Sequence, residues 1–235
     1  MKPYNLIPIQ DCREPLVEIP PQIARETPHP YLRLSAPYGD HSPYWLRQGV
    51  LDRLLLAQTK LHQMQPNWNI QIFDAYRPIA VQQYMVNYTF EQLLKSKSLT
   101  VNSLEPNQHQ ALLQEVYRFW AEPSLDPQTP PPHSTGAALD VTLVDQAGIP
   151  VEMGSPIDEM SPRSYPNHYA ALESARTFHQ NRLLLHQAMS SAGFEQHPKE
   201  WWHFSWGDQL WAWLVCQKPD SSHNTKPIAQ YGGLG

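Results

Sequence analysis

The chain has 235 residues, 41% of them hydrophobic, and a formal net charge of −5. This length and composition can bury the core of one sizeable domain. The acidic balance and the lack of any Lys/Arg cluster argue against a nucleic-acid partner. No stretch approaches the roughly eighteen apolar residues of a membrane span, and the first residues lack the apolar core of a signal peptide. We therefore expect a cytoplasmic protein that binds neither nucleic acid nor membrane.

Apolar residues at helical spacing predict four helices along the chain. In the first of them, Leu46, Val50 and Leu54 fall on one face and polar residues on the other. Gly193 stands where a cap would end the last helix, because glycine readily adopts the left-handed conformation found there. The predicted helices span 45–64, 79–97, 107–121 and 169–193.

Alternation of apolar and polar residues predicts the strands. One strand, in NIQIFDAYRP, is expected to end at Arg77, before a proline. A second covers 137–144 and turns Asp140 away from its apolar row, and residues 200–206 are also β-prone. A short, mostly antiparallel sheet with helices outside it makes an α+β fold.

The 24 prolines concentrate between these elements and mark the loops. We expect a single domain over residues 1–218, followed by a polar, glycine-rich tail over 219–235 that is poorly ordered. The two cysteines, Cys12 and Cys216, have no metal-site spacing and are too few for a disulfide framework. Cys216 lies in the apolar segment LWAWLVCQ, which predicts a buried, unreactive thiol.

Three polar side chains form a candidate metal site. His133 and Asp140 lie on a turn and the strand that follows it, and His203 lies in the β-prone segment. Imidazole nitrogen and carboxylate oxygen are zinc ligands, and a catalytic zinc uses three protein ligands and one open position. The alternative is structural, with Asp140 bonded to a turn and His203 half-buried in a sheet. The other histidines are expected to be surface, packing or solvated loop residues: His29, His41, His62, His109, His168, His179, His186, His197 and His223.

Glu200 precedes His203 by three residues and is a candidate general base. In a flat strand the two side chains would point to opposite faces, so a shared site requires a turn or bulge at residues 199–201. A carboxylate there can take a proton from water whose pKa the metal lowers toward ~7, and return it to the leaving amine. E-x-x-H also occurs in di-iron helical bundles, but those need two copies on helices.

The motifs HSTGAALDVTL, EWWHF and FDAYRP resemble the VanX-type D-alanyl-D-alanine dipeptidases, which are zinc D,D-peptidases of the Hedgehog/D,D-peptidase α+β fold. The resemblance covers residues 45–206. It implies a zinc ion held by His133, Asp140 and His203, with Glu200 as the catalytic base.

Two further roles are implied by the same resemblance. Arg77 would stabilise the oxyanion of the tetrahedral intermediate, a role that suits a guanidinium; the alternative is a structural ion pair with Asp74 or another carboxylate. Asp158, in EMGSPIDEMS, matches a family segment whose aspartate binds the ammonium group of the substrate. The chain departs from the family at Pro131, where a serine usually stands, and in the segment YLRLSAPYGDHSPYWLR. Both departures bear on fine specificity.

Three functions fit these residues. The first is a zinc dipeptidase that cleaves D-alanyl-D-alanine or a close relative, with one zinc ion per chain. The second is a peptidoglycan D,D- or L,D-carboxypeptidase of the same fold. Asp158 argues against it, because that enzyme needs no anchor for a free amino terminus. The third is a non-catalytic zinc-bearing binding domain, which would need neither Glu200 nor Arg77.

Overall fold

A computed structural model describes residues 2–218 and 227–234 of the chain. Its strands and helices, in chain order, are β1 (Leu16–Glu18), β2 (Ala24–Arg25), α1 (Pro30–Arg33), β3 (Trp45–Arg47), α2 (Gln48–Met64), β4 (Asn69–Asp74), α3 (Ile79–Ser96), α4 (Pro106–Val116), β5 (Ala138–Val144), α5 (Arg176–Ser191), β6 (Glu195–Gln196), β7 (His203–Ser205) and α6 (Gln209–Cys216). Short 3₁₀ turns lie between them, of which Pro3–Leu6 and Pro132–Thr135 matter for the site.

The strands form two sheets. The larger has the order β2-β4-β5-β7-β6, in which only the β2–β4 pair is parallel. The smaller pairs β1 with β3 in antiparallel fashion. With helices packed outside a mostly antiparallel sheet, the predicted α+β fold class is confirmed.

The main core lies between the central sheet and the helices α2 and α5. Leu54 of α2 and Leu185 of α5 pack in one buried cluster with Leu139 and Val141 of β5. A second cluster surrounds α3 and α4 and includes Phe90. Because the apolar row of β5 faces the main core, the opposite face of that strand is left for polar side chains.

All four predicted helices are present, with corrected ends. Residues 45–47 pair with β1, so α2 begins at Gln48. The predicted helix 107–121 ends at Val116, because Trp120 turns into the second core. The predicted helix 169–193 begins at Arg176, after a 3₁₀ turn. Gly193 follows α5 with a φ of +92° and its N–H donates to Ser190 O, as expected of a capping glycine.

Three other predictions are corrected. Strand β4 ends at Asp74, not at Arg77, because a register shift follows Ile72 and the N–H of Ala75 then donates to Pro43 O. The apolar segment that contains Cys216 forms α6, but Cys216 itself is exposed at the end of that helix. No helix within residues 2–218 and 227–234 is long and apolar enough to cross a bilayer.

The described part of the C-terminal tail is packed, contrary to the expectation of poor order. Ala229 pairs with Ile9, the ring of Tyr231 is fully buried, and the N–H of Leu234 donates to Ser134 O at 3.1 Å. The N–H of Gly232 donates to Asp11 Oδ2, and the lack of a side chain at Gly232 lets the backbone come close to Asp11. Residues 219–226 and 235, and with them His223, lie outside the described residues.

Candidate metal centre and active site

The register of the central sheet places three polar residues in one row. Asp74 on β4 pairs with Asp140 on β5, and Asp140 pairs with His203 on β7. Directly paired residues on antiparallel strands point their side chains to the same face of the sheet. This face lies opposite Leu139 and Val141, as the alternation in the sequence predicts for Asp140.

His133 reaches the same row from the 3₁₀ turn Pro132–Thr135. The turn ends at Gly136, whose φ of +70° is a left-handed conformation that favours glycine. His133 Nδ1 lies 2.7 Å from Ala75 O, and the N–H of Arg77 donates to His133 O. The loop after β4 therefore fixes the position of the His133 ring.

The three predicted ligands converge. His133 Nε2 lies 3.2 Å from His203 Nδ1 and 3.2 Å from Asp140 Oδ2, and His203 Nδ1 lies 3.1 Å from Asp140 Oδ1. All three side chains are buried, and their ligand atoms fall within 4.8 Å of one another. Burial would raise the pKa of Asp140, but the two imidazoles outweigh it and hold that pKa well below its usual range. Asp140 is therefore an anion.

The outer nitrogens of both imidazoles have acceptors of their own. His133 Nδ1 faces the carbonyl of Ala75, and His203 Nε2 lies 3.3 Å from Ser205 Oγ, which donates to Asp208 Oδ2 at 2.8 Å. These partners place the ring protons on the outer nitrogens. The lone pairs of His133 Nε2 and His203 Nδ1 then face each other and a carboxylate, an arrangement that a cation satisfies. The donor set thus fits a divalent metal.

A turn brings Glu200 beside these ligands. The N–H of Glu200 donates to His197 O, and the N–H of His197 donates to His203 O, so the chain reverses direction between the two histidines. Glu200 Oε2 lies 3.8 Å from His203 Nδ1. Burial, partly offset by His203, raises the pKa of Glu200 to about 7. The turn that a shared site requires is present.

Two histidines predicted to be solvated loop residues have polar partners instead, and His29 is buried whereas His197 is partly buried. His197 Nδ1 lies 3.5 Å from Glu200 Oε1, and burial followed by the charge of His203 lowers the pKa of His197 well below its usual value. His29 Nε2 lies 3.0 Å from Asp74 Oδ1 and its Nδ1 accepts the N–H of Tyr31. The prediction was wrong because the contact of His29 with Asp74 joins residues 45 positions apart, and the contact of His197 with Glu200 forms only in the turn before β7.

The guanidinium of Arg77 contacts both Asp74 and the candidate metal ligand Asp140. Its Nε donates to Asp74 Oδ2 at 2.9 Å, and its Nη1 donates to Gln82 Oε1 at 2.9 Å. Its Nη2 lies 3.2 Å from Asp140 Oδ2 and 3.3 Å from the hydroxyl oxygen of Tyr31. The ion pair with Asp74 that was the alternative for Arg77 is present, and it aims the remaining edge of the guanidinium at the candidate metal site.

Asp158 lies in the same cleft as the ligands, Glu200 and Arg77. Its φ is +65°, and its Oδ2 accepts a hydrogen bond of 2.8 Å from the hydroxyl of Tyr31. Burial, and then the nearby charge of Asp140, raises the pKa of Asp158 to about 7. The ionised form of the Asp158 carboxylate is therefore unfavourable in the cleft, and a cationic group of a substrate would stabilise it.

The aromatic residues of the EWWHF motif divide between core and cleft. Trp201 and Phe204 are buried in the main core, whereas Trp202 also lines the cleft. Sequence reasoning missed Tyr31, His29 and the N-terminal residues of the cleft wall. The pair PY at the start of α1 is the local signal for Tyr31, and it is not specific.

Comparison with known proteins agrees with this geometry. The Peptidase_M15 family model, described as D-ala-D-ala dipeptidase, matches residues 25–224. The chain belongs to this family. Over 242 aligned positions it is 49% identical to the D-alanyl-D-alanine dipeptidase of Synechocystis sp., covering 99% of this chain and 96% of that one. It is 28% identical to the D-alanyl-D-alanine dipeptidase of Enterococcus faecalis, over 66% of this chain and 71% of that one.

Members of the M15 peptidase family are metallopeptidases, so the chain is an enzyme of that class with a peptide substrate. A solved structure of the LdcB LD-carboxypeptidase aligns with 90% of this chain and 79% of its own, at a TM-score of 0.46 and 14% identity. Similarity at that level does not favour the carboxypeptidase alternative. Among the residues that the structure describes, the group of His133, Asp140 and His203 is the one that could hold the metal of a metallopeptidase.

Proposed function

We propose that the protein is a zinc-dependent dipeptidase that hydrolyses D-alanyl-D-alanine or a closely related D-dipeptide. The observation that carries the proposal is the convergence of His133 Nε2, Asp140 and His203 Nδ1, with Glu200 at 3.8 Å, in a chain of this family. Three buried protein ligands with a carboxylate beside them match the composition of a catalytic zinc site.

Zinc is the proposed metal because two imidazoles and one carboxylate suit it better than they suit Mg²⁺ or Ca²⁺, which prefer oxygen ligands. When bound, the ion supplies Lewis acidity toward water and toward the scissile carbonyl. His133 and His203 would bind through the nitrogens that face each other, and Asp140 through its ionised carboxylate.

Glu200 is the proposed general base. It does not belong to the ligand triad, yet its Oε2 faces the nitrogen of His203 that would bind the metal. With a pKa near 7, its carboxylate can accept a proton from the attacking water and deliver it to the leaving amine. A strongly acidic carboxylate would be less able to take the proton.

Arg77 is the proposed group that stabilises the oxyanion. Its contacts with Asp74 and Gln82 hold the guanidinium rigidly, and its Nη2 is the nitrogen that points toward Asp140. A donor that is already oriented needs no reorganisation when negative charge develops on the carbonyl oxygen of the substrate.

Asp158 is the proposed anchor for the ammonium group of the dipeptide. Its carboxylate lies in the cleft, and Tyr31 donates to one of its oxygens. Pro131 offers no side-chain hydroxyl to the same ammonium group, so Asp158 would carry more of the recognition here. An anchor of this kind favours free dipeptides over N-blocked or longer peptides.

The substrate is tested by incubating the zinc-loaded protein with a panel of L- and D-dipeptides and measuring the amino acids released. We expect release of D-alanine from D-alanyl-D-alanine. Cleavage of extended peptides in preference to free dipeptides would instead support the carboxypeptidase alternative.

The metal assignment has a separate test. Elemental analysis should find one zinc per wild-type chain and little in His133→Ala and His203→Ala, because two ligands hold zinc far more weakly than three. Full zinc content in both variants would refute the ligand assignment.

A further inference from the structure

The first residues of the chain form one wall of the cleft. Lys2 and Tyr4 line it together with Glu200 and His197. The 3₁₀ turn Pro3–Leu6 contains Tyr4, whose side chain is buried. The segment is held in place by Gln209 of α6, whose Nε2 donates to Ile7 O at 2.6 Å. Lys2 is therefore a part of the cleft.

Lys2 has no partner of opposite charge in direct contact. Within residues 2–218 and 227–234, no carboxylate lies within ion-pairing distance of its ammonium group. Its surroundings are partly buried, and burial lowers its pKa, with the charge of Glu200 acting in the opposite direction. An ammonium group that lines a cleft can form a charge-assisted hydrogen bond with an anion bound there.

The positive and negative groups lie toward different ends of the cleft. Lys2 and Tyr4 also line a neighbouring cavity that Asp158 does not reach. Asp158 is bonded to Tyr31, and these two residues line a different neighbouring cavity that Lys2 does not reach. The two charged side chains therefore enter the cleft from different sides, and the candidate metal site and Glu200 line the cleft with them.

A free dipeptide has a matching distribution of charge. It carries an ammonium group at one end and a carboxylate at the other, at most about 7 Å apart, and the cleft is lined by a group of opposite charge for each, Asp158 and Lys2. With its ammonium group at Asp158 and its scissile bond near Glu200, the carboxylate of the second residue is directed toward the Lys2 end.

We propose that Lys2 binds the C-terminal carboxylate of the dipeptide substrate and so acts as a specificity residue opposite Asp158. The inference rests on the proposed dipeptidase function. With Asp158 and Lys2 in these roles, the preference for free dipeptides over blocked or longer peptides depends on both the ammonium group and the carboxylate of the substrate.

The test compares D-alanyl-D-alanine with its C-terminal amide, which lacks the negative charge. kcat/KM for both substrates is measured with zinc-loaded wild type, Lys2→Met, Lys2→Arg and Lys199→Met. Lys199 is a matched control, because it is also a cation that acts electrostatically near His197 but is exposed and lies outside the cleft wall.

We expect the wild type to prefer the acid over the amide by about tenfold or more, the usual scale for a charge-assisted hydrogen bond. Lys2→Met should lose most of this preference through a higher KM for the acid, with the amide unaffected. Lys2→Arg should restore part of the preference, and Lys199→Met should keep all of it.

An unchanged acid/amide ratio in Lys2→Met would overturn the inference and leave the dipeptidase function intact. An equal loss in Lys199→Met would also overturn it, since a general electrostatic effect would then be responsible. If the wild type cleaves neither substrate, the proposed function itself fails, and the inference fails with it.

Discussion

Replacing Ser205 with alanine removes the hydroxyl that links His203 to Asp208. Ser205 is fully buried, its Oγ lies 3.3 Å from His203 Nε2, and it donates to Asp208 Oδ2 at 2.8 Å. Asp208 keeps its bond to the N–H of Trp211, so the start of α6 is preserved. The substitution removes one oxygen atom, and the fold should persist. The N–H of His203 loses its only side-chain acceptor among the described residues.

The magnitude follows from this lost contact. Removing the partner of a metal-binding histidine typically weakens metal binding about 10-fold to 100-fold. This range equals about 1.4 to 2.8 kcal/mol. It agrees with the cost of about 1 to 3 kcal/mol for leaving a buried hydrogen-bonding group unsatisfied. We therefore expect Ser205→Ala to bind zinc about 10-fold to 100-fold more weakly than the wild type.

Competition with a chelator of known affinity measures the zinc dissociation constant directly. Ser164→Ala is the matched control, because Ser164 is equally buried but donates to the carbonyl of Glu159, which is not a ligand. Wild-type zinc affinity in Ser205→Ala, or an equal loss of affinity in the control, would refute this role of Ser205.

Three further substitutions have separate outcomes. Glu200→Gln should keep its zinc, because the residue lies outside the ligand triad, and should lose about 10²-fold to 10⁴-fold in kcat; loss of zinc by elemental analysis would make Glu200 a ligand. Arg77→Lys should lower kcat by about 10²-fold, because a point charge on a flexible stem cannot reproduce the oriented guanidinium; steady-state rates equal to the wild type would remove it from the site. Tyr231→Ala should lower the free energy of unfolding by about 3 to 5 kcal/mol, as measured by urea denaturation, because its ring is fully buried against Gly207. A change below about 1 kcal/mol would contradict the packing of the tail.

The ligand triad was accessible to sequence reasoning because its signals are local. His133 and Asp140 flank one turn, and the alternation around Asp140 decides which face of β5 it occupies. A turn before His203 was predicted as a requirement of a shared site, since Glu200 and His203 cannot lie on the same face of a flat strand. The structure meets that condition with a reversal that begins at His197.

The contacts around the triad have no such local signal. Asp74 lies at the end of β4, but its bonds to His29 and Tyr38 join residues 45 and 36 positions apart. Lys2 reaches the cleft because the N-terminal segment packs on α6, about 200 positions away. The packing of residues 227–234 was missed for the same reason, since a polar, glycine-rich composition does not reveal that Tyr231 packs against Gly207. Long-range packing, which one sequence does not encode as a pattern, decides these positions.

The central claim is that a free D-dipeptide is hydrolysed with its ammonium group held by Asp158. The most direct measurement is kcat/KM of the zinc-loaded wild type and Asp158→Ala for D-alanyl-D-alanine and for its N-acetylated form. We predict that the wild type prefers the free dipeptide by at least about tenfold, because the blocked form leaves the partly buried Asp158 carboxylate without a cation. Asp158→Ala should narrow the gap mainly by slowing the free dipeptide. Equal kcat/KM values for the two substrates in the wild type would contradict the account.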